Sequence, residues 1–139
     1  SEMRGIQGWF LKRLGCFSIN QLSPSLSALR YAVYLIEKEE QLVIFPEGKI
    51  NRYGKKISLK EGLYRLARLA LKETSSITIV PIGIAYSKAS PKFRDDFCLS
   101  FGEPISMKDF QNLTIKEFNM ILNKRMIKEE KIALKHLGR

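Results

Sequence analysis

Leu42-Val43-Ile44-Phe45-Pro46-Glu47-Gly48-Lys49 is the stretch on which the fold reading turns. A fully apolar run that stops abruptly reads as a strand buried on both faces. Pro46 ends it, because proline has no N–H to give to a ladder. Residues 46–61 then form a polar loop containing Gly48 and Gly54. Between Glu47 and Glu61 this loop holds Lys49, Arg52, Lys55, Lys56 and Lys60, with no acid among them. The carboxyl edge of the strands is where an open α/β sheet binds its ligands. Gly48 fits such a place, since it lets backbone approach a ligand closely or take a positive φ.

Working outward, Gly62 to Glu73 reads as a helix with Leu63, Leu66, Ala67 and Ala70 at core spacing. Ile77 to Tyr86 is β-rich and nearly all apolar, as a central strand would be, and Phe97 to Phe101 is a further strand. The last helix opens on a capping box, Thr114 with Glu117. Ile115, Phe118, Leu122 and Met126 line one side of it, and Lys116, Lys124, Arg125, Lys128, Lys131 and Lys135 occupy the others. Upstream of Leu42, a helix starts at Ser23 and Pro24 and carries the stripe Leu26, Leu29, Val33 and Ile36. Cys16-Phe17-Ser18-Ile19 reads as a short strand. Arg4 to Leu14 is helical, with Ile6, Trp9, Phe10 and Leu14 on one face. That face suits either packing on a sheet or lying at a lipid interface, and its narrowness favours packing. Helices alternating with strands predict an α/β fold, an αβα sandwich around a mostly parallel (mixed) sheet with right-handed crossovers.

The 139 residues suit one domain, 1–139, and with 45% apolar residues the chain can bury a core. Lysine and arginine total 24 against 14 acids, a net charge of +10. That surplus favours an anionic partner: nucleic acid, acidic lipid or a phosphate-bearing substrate. The chain has no helix-turn-helix, zinc-finger spacing or RNA-binding aromatic block, so no nucleic acid is expected as partner. Cys16 and Cys98 make neither a disulfide framework nor a zinc site and read as buried reduced thiols. No apolar run is long enough to span a bilayer. Two readings of the basic loop stay open on these grounds: a solvated surface, or an anion site in which each charge-assisted hydrogen bond contributes about 1.5–3 kcal/mol.

Four segments in order resemble a known family. Phe45-Pro46-Glu47-Gly48 is similar to the opening of the Phe-Pro-Glu-Gly-Thr-Arg-Ser block of the lysophosphatidic-acid (phospholipid-glycerol) acyltransferases. Lys60-Glu61-Gly62 matches the lysine and glycine that follow it. Val80-Pro81-Ile82-Gly83 is similar to the family's Val-Pro-Ile block, and Gly15-Cys16-Phe17-Ser18-Ile19-Asn20-Gln21 to its second block. The resemblance implies transfer of a fatty acyl group from acyl-CoA or acyl-carrier protein to a hydroxyl of a lysophospholipid or glycerol-phosphate-type acceptor. It needs no metal or bound cofactor, and implies a cytoplasmic protein peripheral to an anionic membrane. Glu47, Gly48, Lys49, Arg52, Lys60 and Gln21 would bind the acceptor phosphate. Val80, Pro81, Ile82 and Gly83 would form a wall beside the acyl chain.

The family's first block, His-x-x-x-x-Asp, holds its general base and the carboxylate that orients it. The single histidine here is His136, too close to the end of the sequence to begin that block. The chain is therefore expected to be an N-terminally truncated, inactive portion. Where the family has its two acceptor-gripping arginines, Gln21 and Ile50 stand, so the acceptor need not be lysophosphatidate. Lysine does not reproduce arginine's bidentate fork. A non-catalytic module binding anionic lipid at a membrane surface is the alternative reading.

Overall fold

The computed structural model describes residues 5–17, 26–48 and 58–139. Expectations on Ser18, Ile19, Ser23, Pro24 and, in the proposed site, Gln21, Lys49 and Arg52 lie outside the described residues. The chain divides into two compact units, Ser1–Val43 and Ile44–Arg139.

In the first unit, α1 spans Gly5–Arg13 and α2 spans Leu26–Glu37. The stripe expected on α2 is partly buried: Val33, together with Ala32, is buried, while Leu26 is exposed. Tyr31 on α2 meets Phe17 edge-on, with ring centroids 5.2 Å apart. Cys16 and Phe17 form no strand, and Cys16 is exposed rather than buried. The face of α1 expected to pack on a sheet is open: Trp9, Phe10 and Leu14 are all more than half exposed. Arg13 instead stacks over the Trp9 ring at 4.6 Å.

The second unit contains α3 (Gly62–Ala70), β1 (Thr78–Ile79), β2 (Ile82–Tyr86), β3 (Phe97–Phe101), β4 (Ile105–Ser106) and α4 (Ile115–His136). Its core forms where α4 lies across β2 and β3 and α3 meets α4. Phe118 and Leu122 of α4, Ile105, Met107 and Ala133 are buried, with Leu66, Ala67 and Ala70 from α3. A side chain the size of Phe118 contributes about 1.5–3 kcal/mol by leaving water. The close approach of α4 to the sheet depends on Gly83, where an added Cβ would collide with the backbone of Glu129 and Glu130. A Cβ added at Gly102 would lie 2.9 Å from Cγ of the Glu129 side chain, a milder conflict.

The sheet corrects the sequence-based expectation. Two small antiparallel sheets are present, β1 with β4 and β2 with β3, and no parallel pair occurs among the described residues. An αβα sandwich around a mostly parallel sheet is therefore not what this chain forms. One reason is connectivity: residues 87–96 join β2 to β3 without a helix, and a parallel pair needs a crossover. A second is Pro81, which divides the expected central strand Ile77–Tyr86 into β1 and β2. The third is Leu42–Phe45, which forms no strand, and whose Val43 and Phe45 are largely exposed. Apolarity signals a preference for burial, but a strand exists only where a neighbour completes its hydrogen bonds.

Candidate functional site

Pro46 and Glu47 occupy the centre of a tight turn in which the Gly48 N–H donates to the Phe45 carbonyl at 3.1 Å. Gly48 has φ of 64°, in the left-handed region that costs other residues about 1–2 kcal/mol. Pro46 is buried, and its carbonyl accepts from the Lys60 N–H at 2.7 Å. That bond ties the chain entering the basic loop to the chain leaving it. Glu47 and Gly48, both half-buried, are thereby brought beside the exposed Lys60. Since Leu42–Phe45 is not a strand, this turn does not issue from a sheet edge, as the sequence suggested.

The return of the loop is fixed from α4. Asn119 Nδ2 donates to the Leu59 carbonyl at 3.3 Å, and Asn119 Oδ1 is buried with no partner among the described residues. Just beyond, α3 begins at Gly62, and its N-cap Glu61 makes no side-chain cap. The Glu61 carboxylate turns outward to Arg65, 2.7 Å from Nη2. An exposed pair of this kind adds only about 0.3–0.5 kcal/mol to a helix. Tyr64 Oη donates to the Leu113 carbonyl at 2.7 Å and holds α3 to the segment before α4.

The expected acyl wall is split by burial. Pro81 and Gly83 are inside, Gly83 against the α4 backbone, and the Pro81 carbonyl accepts from the Gly102 N–H at 2.9 Å. Val80 is exposed and Ile82 half-buried. His136 lies exposed in the last turn of α4. Among the described residues no cluster of histidine, cysteine, aspartate or glutamate could hold a metal ion, and no helix is long and apolar enough to cross a membrane.

Two polar residues escaped the sequence reading, Asn119 and Glu129. Glu129 is 6% exposed and accepts from Ser100 Oγ at 2.6 Å. Its signal was present: it stands on the same helical stripe as Phe118, Leu122 and Ala133, where a charge needs a partner. Asn119 gave no comparable signal, because its partner is a distant carbonyl.

Comparison with known proteins gives the following. A family model described as Acyltransferase matches residues 2–85, more than half of the chain. A 1-acyl-sn-glycerol-3-phosphate acyltransferase of Streptococcus pneumoniae is 25% identical over 120 residues, which is 86% of this chain and 43% of the relative. One of Bacillus subtilis with the same name is 27% identical over 112 residues, 79% of this chain and 53% of the relative. The chain thus spans about half the length of the curated relatives it matches. No solved structure matches it.

Proposed function

The chain belongs to the acyltransferase family, and on that premise we propose that it carries the acceptor-binding part of a glycerolipid O-acyltransferase. The acceptor is a lysophospholipid or a glycerol-phosphate-type alcohol, and the donor an acyl thioester of coenzyme A or acyl-carrier protein. In the reaction the acceptor hydroxyl attacks the thioester carbonyl. A C–O bond forms, the C–S bond breaks, and the hydroxyl proton passes through a base to the departing thiolate. No histidine of this chain suits that base, because His136 is exposed with no carboxylate bonded to it among the described residues. In this proposal a base from outside these 139 residues completes the reaction. The protein works peripherally, at the cytoplasmic side of a membrane.

The observation that carries this reading is the bond from the Lys60 N–H to the Pro46 carbonyl. It sets the Lys60 residue beside the Glu47–Gly48 turn; Lys49 and Arg52 stand between the two in the sequence. A phosphate held there gains charge-assisted hydrogen bonds of about 1.5–3 kcal/mol each. Val80 and Ile82 supply apolar surface for the acyl chain. Relatives bearing the name of a lysophosphatidate-acylating enzyme support the substrate class.

The test is amide NMR of the 139-residue chain titrated with a short-chain lysophosphatidate. Shifts centred on Gly48 and Lys60 are expected, with affinity reduced at least tenfold in Lys60→Glu. Shifts elsewhere, or equal affinity in the variant, would refute the acceptor site. A radiolabelled acyl thioester should give no product with this chain, and turnover would show that the base has been misplaced.

A further inference from the structure

From the outward face of α4 we infer that the helix is a docking surface for an anionic bilayer. The inference deepens the lipid-acceptor reading by naming the face that meets the membrane. Lys124, Lys128, Lys131 and Lys135 recur at helical spacing, so their side chains form one stripe along α4, and all are exposed. Apolar residues flank the stripe: Met120 is 67% and Ile132 37% exposed, and Ile121 and Ile127 are half-buried. Together these residues make up the side of α4 turned away from its buried residues Phe118, Leu122, Glu129 and Ala133.

Charge decides the occupant. The ion pairs among the described residues are Arg65 with Glu61 and Lys88 with Asp95, so the ammonium groups of the stripe are uncompensated. The acids of α4 do not offset them. Glu129 is buried against Ser100, Glu117 is held by Thr114 at the helix start, and Glu130 stands roughly 100° or more around the helix from each lysine of the stripe. A buried protein interface at this face would leave lysines without partners unless it were acidic throughout. A bilayer of acidic headgroups satisfies them all while the lysine stems and the flanking Met120, Ile127 and Ile132 sink toward the acyl boundary. Such a surface takes up a basic residue with about fivefold gain in partitioning per lysine, and the gain falls as salt screens it.

The experiment is cosedimentation of the full 139-residue chain with vesicles of phosphatidylcholine alone or containing phosphatidylglycerol. Binding is expected to the anionic vesicles and to weaken as salt rises. Lys128→Gln with Lys131→Gln should lower partitioning by about 25-fold, and Met120→Ser should weaken it further. Lys72→Gln with Lys108→Gln, which removes equal charge elsewhere, should bind almost as wild type. Equal loss in both pairs would overturn the inference, because net charge and not the stripe would then be responsible. Loss confined to Trp9→Ala would overturn it too, moving the contact to α1. Failure to bind anionic vesicles at low salt would assign the stripe to an acidic protein. Circular dichroism checks that each variant is folded. Acyl transfer is not read here, so vesicle binding can fail while the proposed acceptor site stands, and the reverse.

Discussion

At Gly83 a single missing methyl group fixes how closely a helix can lie on a sheet. The α4 backbone at Glu129 and Glu130 fills the place of a Cβ there, and backbone cannot step aside as a flexible side chain can. Gly83→Ala should therefore destabilise the chain by about 1–3 kcal/mol, the usual cost of overpacking, measured as a lowered denaturant midpoint. Gly62→Ala is the matched control, since no atom lies within 4 Å of its added Cβ. Its midpoint should stay the same or rise slightly, as alanine loses less entropy than glycine in a helix. Equal losses at both positions would mean that close approach at Gly83 is not the determinant. The Val-Pro-Ile-Gly resemblance thus acquires a physical content at its glycine: the residue contributes to packing, whatever Val80 and Ile82 do for a ligand.

At the scale of elements, α4 is the clearest case of a sequence signal realised. Thr114 Oγ1 accepts from the Glu117 N–H, and Glu117 Oε2 accepts from the Thr114 N–H at 2.8 Å, so the capping box read from the sequence closes in both directions. The Thr114 N–H, and then its hydroxyl, hold the Glu117 carboxyl below its ordinary value of 4.5. A carboxylate with a lowered folded pKa stabilises the fold above its unfolded pKa and loses that contribution as pH falls through the folded value. Thermal midpoints should accordingly decline on acidification below about pH 4.5, with a shallower decline in Glu117→Gln; an identical slope would remove the cap from the acid response. Thr114→Ala should cost about 1 kcal/mol at neutral pH. Such local signals made α2, α3, α4 and β3 legible. Strand direction was harder, because it is set by partners far along the chain. The expectation of a parallel sheet passed over the segment 87–96 between Tyr86 and Phe97, which holds no helix and joins an antiparallel pair. Leu42–Phe45 shows the opposite limit, since nothing in its residues says whether a neighbouring strand exists. Of the residues expected to bind the acceptor, Lys60 is tied by its backbone N–H to the Pro46 carbonyl, next to Glu47 and Gly48 in the chain; the sequence marks the two ends of that bond by the turn residues Pro46 and Gly48, whereas Asn119 reaches the Leu59 carbonyl through a contact no pattern marks.

For the molecule as a whole, a charge of +10 coexists with a bare apolar sheet face. Along β2 and β3 the inward residues Gly83, Ala85, Cys98 and Ser100 are small and covered by α4 to differing degrees. The opposite face presents Ile84 and Tyr86 directly across from Leu99 and Phe97, with Phe101 beyond, all at least one-third exposed. Contiguous apolar surface of this kind drives association, whereas like charge on every copy opposes it. The balance between the two depends on salt, because the Debye length falls from about 30 Å at 0.01 M to about 8 Å at 0.15 M while hydrophobic burial is little affected. Sedimentation velocity should therefore show monomer at low salt and growing association as salt is raised. Replacing Phe97 and Leu99 with lysine should suppress that association and reduce binding of an apolar fluorescent dye, with circular dichroism unchanged. If the wild-type chain stayed monomeric across the salt series, or the double variant associated as readily, the β2–β3 face would not be the sticky surface, and the exposed Val43, Ile44 and Phe45 would be the next to replace.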